Sequence, residues 1–116
     1  MANMDEVISN LMRKGIKGSA VIDKEGSVYS SDLPPSVHEE TFAIMCATVI
    51  GASNSANSEL DRGGTKKVII DSNEGHIVIA NTKKNLLLTV IVDKKREMGM
   101  IIDEVENAIK MINENF

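Results

Sequence analysis

The chain has 116 residues and a mass of 12.6 kDa, which points to a single domain (1–116) with room for one core. A formal net charge of −4, with basic residues scattered as Arg13-Lys14, Lys66-Lys67, Lys83-Lys84 and Lys94-Lys95-Arg96, argues against a nucleic-acid partner, which needs a concentrated cationic surface. The lone Cys46 excludes an internal disulfide; the polar N-terminus lacks the pattern of a signal peptide, and no apolar run approaches the roughly 20 residues a bilayer crossing needs, so the expectation is a cytoplasmic protein without membrane insertion.

Met4, Val7, Ile8, Leu11 and Met12 follow i, i+3, i+4, i+7, i+8, which predicts an amphipathic helix stopped by Gly15. Residues 18–23 and 27–31 read as two strands about a tight turn, with Gly26 placed for a positive φ. Leu33-Pro34-Pro35 interrupts regular structure, and Ser36 with Glu39 fits a capping box opening a long helix over 36–61, closed by Gly63 and Gly64. Three further strands follow at 67–71, 76–80 and 86–92, joined by turn-rich segments that make the meander antiparallel. The last is apolar at every position but Thr89, the mark of a central strand covered on both faces. Met98, Ile101, Ile102, Val105, Ile109, Ile112 and Phe116 line one face of a terminal helix. The expected fold class is α/β (α+β), a five-stranded, mostly antiparallel sheet in the order helix-strand-strand-helix-strand-strand-strand-helix. The terminal helices should cover one face and the long helix the other.

The long helix is apolar on two stripes. Phe42, Met45, Val49, Ala52, Ala56 and Leu60 recur at 3-4 spacing and are expected to face the core, while Ala43, Ala47, Gly51 and Ser55 repeat every fourth residue as a stripe of small side chains. A chain this small cannot hide both, so the small stripe is expected to meet a second copy, and pairing would also let an edge strand meet its symmetry mate. The alternative is a helix sheltered on both stripes within its own monomer.

Reactive residues are sparse. No Gly-x-x-x-x-Gly-Lys-Ser/Thr run is present, and Gly63-Gly64-Thr65-Lys66 reads as a helix terminator rather than a phosphate loop. Cys46 sits in an apolar stretch as inert packing. His38 and His76, with one cysteine, provide too few groups for a zinc site or a nucleophile-base pair, and Asp71, Glu74 and Asp93 are turn or strand-end residues. No catalytic, cofactor-binding or metal residue is expected, and the protein is not expected to be an enzyme.

Four segments in order carry a family resemblance: 18–26 of the first hairpin, the Ala-rich 42–60, 68–79, and 87–93 ahead of Met98-Gly99-Met100-Ile101. Together they resemble the Roadblock family of dynein-light-chain-like domains, related to bacterial and archaeal regulators of Ras-like GTPases, from about Val7 to Ile112. The resemblance implies a longin- or profilin-like sandwich that dimerises through the central helix and third strand, here Ala43, Ala47, Gly51 and Ser55 with Val68 and Ile70. It also implies an adaptor that binds a small Ras-like GTPase, with any stimulation of hydrolysis indirect. The alternative within the same fold is a scaffold or small-ligand sensor without a GTPase partner. Arg62 is the candidate for a contact with the GTPase, since an inserted arginine can stabilise phosphoryl-transfer charge. The segment 36–61 offers no cationic clamp, because it carries no Lys or Arg.

Overall fold

The computed structural model describes residues 3–13, 16–93 and 97–116. The expected helix stop at Gly15 and the basic residues Lys14, Lys94, Lys95 and Arg96 lie outside them. The elements are α1 (Met4–Arg13), β1 (Gly18–Asp23), β2 (Val28–Asp32), α2 (Glu39–Glu59), β3 (Lys67–Ser72), β4 (Gly75–Asn81), β5 (Leu86–Asp93) and α3 (Met98–Asn115), in the order the periodicities predict.

All strand pairs are antiparallel and the sheet order is β2-β1-β5-β4-β3. The most apolar strand, β5, is therefore central, and successive residues point to opposite helical layers. Leu86, Leu88, Val90 and Val92 pack with Val7, Leu11, Ile101, Val105 and Ile112 beneath α1 and α3. Leu87 joins Ala20, Ile22, Ile79, Ala43, Cys46, Ala47 and Ile50 beneath α2. The expected division of helices between the two faces is the one observed. Thr89, alone among the β5 residues from 86 to 92 in being polar, is fully buried, and its hydroxyl approaches the Cys46 sulfur without forming a well-made hydrogen bond within the chain.

The first hairpin turns on Asp23, whose Oδ1 accepts the backbone N–H of both Glu25 and Ser27, each at 2.9 Å. Gly26 has φ 93° as predicted, but conformational freedom is only half of its role. A Cβ at Gly26 would lie 2.8 Å from Ile44 Cγ1 and 3.0 Å from Ile44 Cα, so the missing side chain also lets the first turns of α2 lie on the hairpin. The register of β1 with β2 shifts between Val21 and Ile22, leaving Tyr29 as the extra residue of a bulge on the edge strand β2.

Both ends of α2 differ from expectation. The helix begins at Glu39 with His38 as its N-cap, and no side chain caps it. The capping box of Ser36 and Glu39 does not form: residues 34–37 make a turn closed by Val37 N–H to Pro34 O at 2.9 Å, the helix starts only at Glu39, and the Glu39 carboxylate accepts the hydroxyl of Ser31 on β2. At the other end the left-handed step falls on Asp61 (φ 53°) ahead of Gly63 (φ 82°). Arg62 N–H bonds Asn57 O and Asp61 N–H bonds Ser58 O, the paired bonds of a Schellman exit.

Candidate functional site

The buried line of α2 is Ala43, Cys46, Ala47 and Ile50. Ala43 and Ala47, 1% and 9% exposed, therefore lie against their own sheet and have no surface to offer a second copy, which corrects their expected place at an interface. The cause is close approach: the helix rests on Ala20 of β1 and runs past Gly26, so small side chains fill the gap beneath it. The same line continues as Ser53, Asn54 and Asn57, which grip the loop into β3. Asn54 Oδ1 accepts Thr65 N–H at 2.9 Å, Asn57 Nδ2 donates to Thr65 Oγ1 at 2.9 Å, and Ser53 bonds the same hydroxyl.

The stripe expected in the core is the one left uncovered. Met45 and Leu60 are 59% and 64% exposed, Ala52 and Ala56 are exposed, and Phe42 and Val49 are half-buried. Ile44 lies over the β1–β2 turn, so that side of α2 faces β2, and the flank carrying Phe42, Met45, Val49, Ala52, Ala56 and Leu60 turns toward β3. There it meets Val68, Ile70 and Ile77, which stand half-buried on the same face of the sheet. Helix flank and strand edge form one apolar surface beside an edge with no strand on its outer side among the described residues. Spacing of 3-4-3-4 along the flank is the seam geometry of paired helices.

Gly51 and Ser55 are exposed but lie on the other side of the helix; Gly51 is roughly 160° around from Val49. A Cβ at Gly51 would meet nothing within 4 Å. Gly51→Ala is therefore expected to stabilise the fold by roughly 0.5–1 kcal/mol through helix propensity, raising the midpoint of a thermal melt by a few degrees, with self-association by sedimentation unchanged. A loss of association would return Gly51 to the interface.

The remaining candidates stay apart. Arg62 is exposed in the exit from α2, held by its backbone, with no reactive group assembled around it among the described residues. His76 Nε2 pairs with Asp71 Oδ1 at 3.1 Å directly across β3 and β4. Burial pushes the Cys46 thiol up from its ordinary pKa, which favours the inert thiol. An open cleft of about 740 Å³ at the end of α2 is lined by Lys24, Asn54, Ser58, Asp61, Thr65 and Asn81, but the Thr65 and Asn54 groups there are engaged with each other. No group of three or more His, Cys, Asp or Glu positioned for a metal occurs among the described residues, and no described helix is long and apolar enough to cross a membrane.

A single antiparallel sheet held between one long helix and a terminal helix pair, with one apolar helix flank beside an open sheet edge, is the profilin-like fold. Profilin IB of Acanthamoeba castellanii superposes with a TM-score of 0.73 at 10% identity over 97% of this chain and 98% of its own. Residues 4–92 match the family model of the Roadblock/LC7 domain, and the chain belongs to that family. MglB of Myxococcus xanthus has the same fold, with a TM-score of 0.90 at 15% identity over 95% of this chain and 91% of that one. An uncharacterized protein of Methanocaldococcus jannaschii is 30% identical over 114 residues, 97% of this chain and 96% of its own length.

Proposed function

We propose that the protein is a homodimeric cytoplasmic adaptor that binds a small Ras-like GTPase and has no catalytic residues of its own. The observation that carries the dimer is the apolar flank of α2, with Met45 and Leu60 more than half exposed, lying beside Val68, Ile70 and Ile77 at an unpaired edge. A second copy set against this surface by a two-fold axis would cover the helix seam and continue the sheet at once. The GTPase partner is supported by membership of the Roadblock family and by what that resemblance implies. Any effect on hydrolysis would be indirect: a dimer that binds one conformation of the GTPase switch segments better than the other shifts their population. Arg62, exposed on a short loop, stays the candidate for direct contact.

The test is retention of purified small Ras-like GTPases of the host on the immobilised chain, each loaded with GDP or with a non-hydrolysable GTP analogue. Retention that depends on the nucleotide is expected. Retention in neither state would overturn the GTPase reading and leave a scaffold or sensor of the same fold.

A further inference from the structure

The backbone of β3 and the placing of its charges define how a second copy would sit. In an antiparallel ladder the N–H and C=O of each residue point to the same side, and the side alternates along the strand. Asn81 N–H bonds Lys66 O at 2.9 Å, and in the register of β3 with β4, where Lys67 faces Ala80 and Ile70 faces Ile77, residues 66, 68, 70 and 72 direct their backbone groups to β4. Lys67, Ile69 and Asp71 therefore direct theirs outward, away from the sheet. Their side chains lie together on the face covered by α3, where Lys67 Nζ reaches Glu106 Oε1 at 3.7 Å, while Val68 and Ile70 lie on the α2 face.

A two-fold axis perpendicular to a continuous sheet keeps each face on its own side, so it passes through a residue and not between two. Three centres bring at least two of the outward residues into the pairing. A centre on Val68 sets Lys67 opposite Ile69, and a centre on Ile70 sets Ile69 opposite Asp71; each buries one end of an ion pair against an aliphatic side chain and uses two of the three outward residues. A centre on Ile69 uses all three. It sets Lys67 opposite Asp71 twice, Val68 opposite Ile70 twice and Ile69 opposite itself.

We infer that two copies pair β3 to β3 with Ile69 on the two-fold axis, so that Lys67 of each faces Asp71 of the partner subunit, closing the sheet with six main-chain hydrogen bonds from residues 67, 69 and 71. The inference rests on the dimer proposed above and adds its register and its charge code. The strand is self-complementary: opposite charges placed symmetrically about an apolar centre match only a strand carrying the same arrangement in reverse, which the symmetry supplies. Like charges directly opposite one another are unfavourable, so the edge rejects strands with another pattern.

Cysteine scanning tests the register. Residues opposite each other in a hydrogen-bonded antiparallel pair have Cα atoms about 5.5 Å apart, within disulfide reach. Under mild oxidation Ile69→Cys is expected to give a covalent dimer, whereas Val68→Cys or Ile70→Cys alone is not, and a mixture of those two is. The charge code is tested by reversal. Lys67→Asp and Asp71→Lys are each expected to weaken self-association about tenfold or more, and mixing the two variants is expected to restore a heterodimer, because each then offers what the other lacks. Self-linkage at 68 or 70 with none at 69, or no heterodimer on mixing, would overturn the register while leaving the dimer standing. A wild-type chain that sediments at 12.6 kDa would instead overturn the dimer itself.

Discussion

If the chain pairs as proposed, Ala52→Arg is expected to leave a 12.6 kDa monomer at micromolar concentration with its fold intact. Ala52 lies midway along the exposed flank of α2, between Val49 and Ala56, and its side chain is free in the single copy. An arginine there costs the monomer little beyond a small change in helix propensity. At a close helix crossing the same side chain adds volume and an unpaired charge, and the symmetry places it in the seam twice. Overpacking alone costs roughly 1–3 kcal/mol per site, so a loss of about two orders of magnitude in association is expected. Sedimentation equilibrium of the variant beside the wild type measures it, with circular dichroism to show that the helices remain. Association that survives the substitution would remove the flank from the interface.

Gly26→Ala is expected to have the largest effect on the stability of the single chain. A φ of 93° strains any L side chain, and a Cβ at that point meets Ile44 Cγ1 at 2.8 Å together with the Ile44 backbone at 3.0 Å and 3.2 Å, so turning the side chain aside would not clear it. The backbone strain costs roughly 1–2 kcal/mol and the forced separation of α2 from the hairpin roughly 1–3 kcal/mol, about 3 kcal/mol together. For a chain of this size that lowers the melting midpoint by about 10 °C or more. An unchanged midpoint would show that the hairpin and the helix can part without loss.

The order of elements was legible in the sequence because each periodicity had one dominant reading. In β5 the apolar run, interrupted only by Thr89, demanded cover on both faces, and it lies between β1 and β4 with helices above and below. In α2 two apolar stripes competed, and side-chain size pointed to the wrong one. Large residues usually go inside, but here Ala20 and the gap at Gly26 bring the helix close to the sheet, and the space beneath it fits Ala43, Cys46 and Ala47. A signal for the correct line was present: 43, 46, 47 and 50 follow i, i+3, i+4, i+7, and the line continues as 53, 54 and 57. Its last members are Ser53, Asn54 and Asn57, which hydropathy counts as surface although they anchor the Thr65 loop. The capping box failed for a similar reason, since Ser31, eight positions away in the chain, took the glutamate that Ser36 was expected to use. The outward set Lys67, Ile69 and Asp71 was not legible at all, because it depends on which residues β4 engages, and one position of slip would exchange it for Lys66, Val68 and Ile70.

The bulge that leaves Tyr29 outside the ladder has a consequence for growth. A sheet with two equally receptive margins could polymerise, each unit adding to the last as in a fibre. Among the described residues one margin, β3, is six residues long and unbroken, while the opposite one is five residues, kinked, and irregular where an incoming strand would have to dock. In the proposed dimer, with β3 occupied by its twin, both outer boundaries of the ten-stranded sheet would be the bulged β2, which disfavours further growth by strand addition.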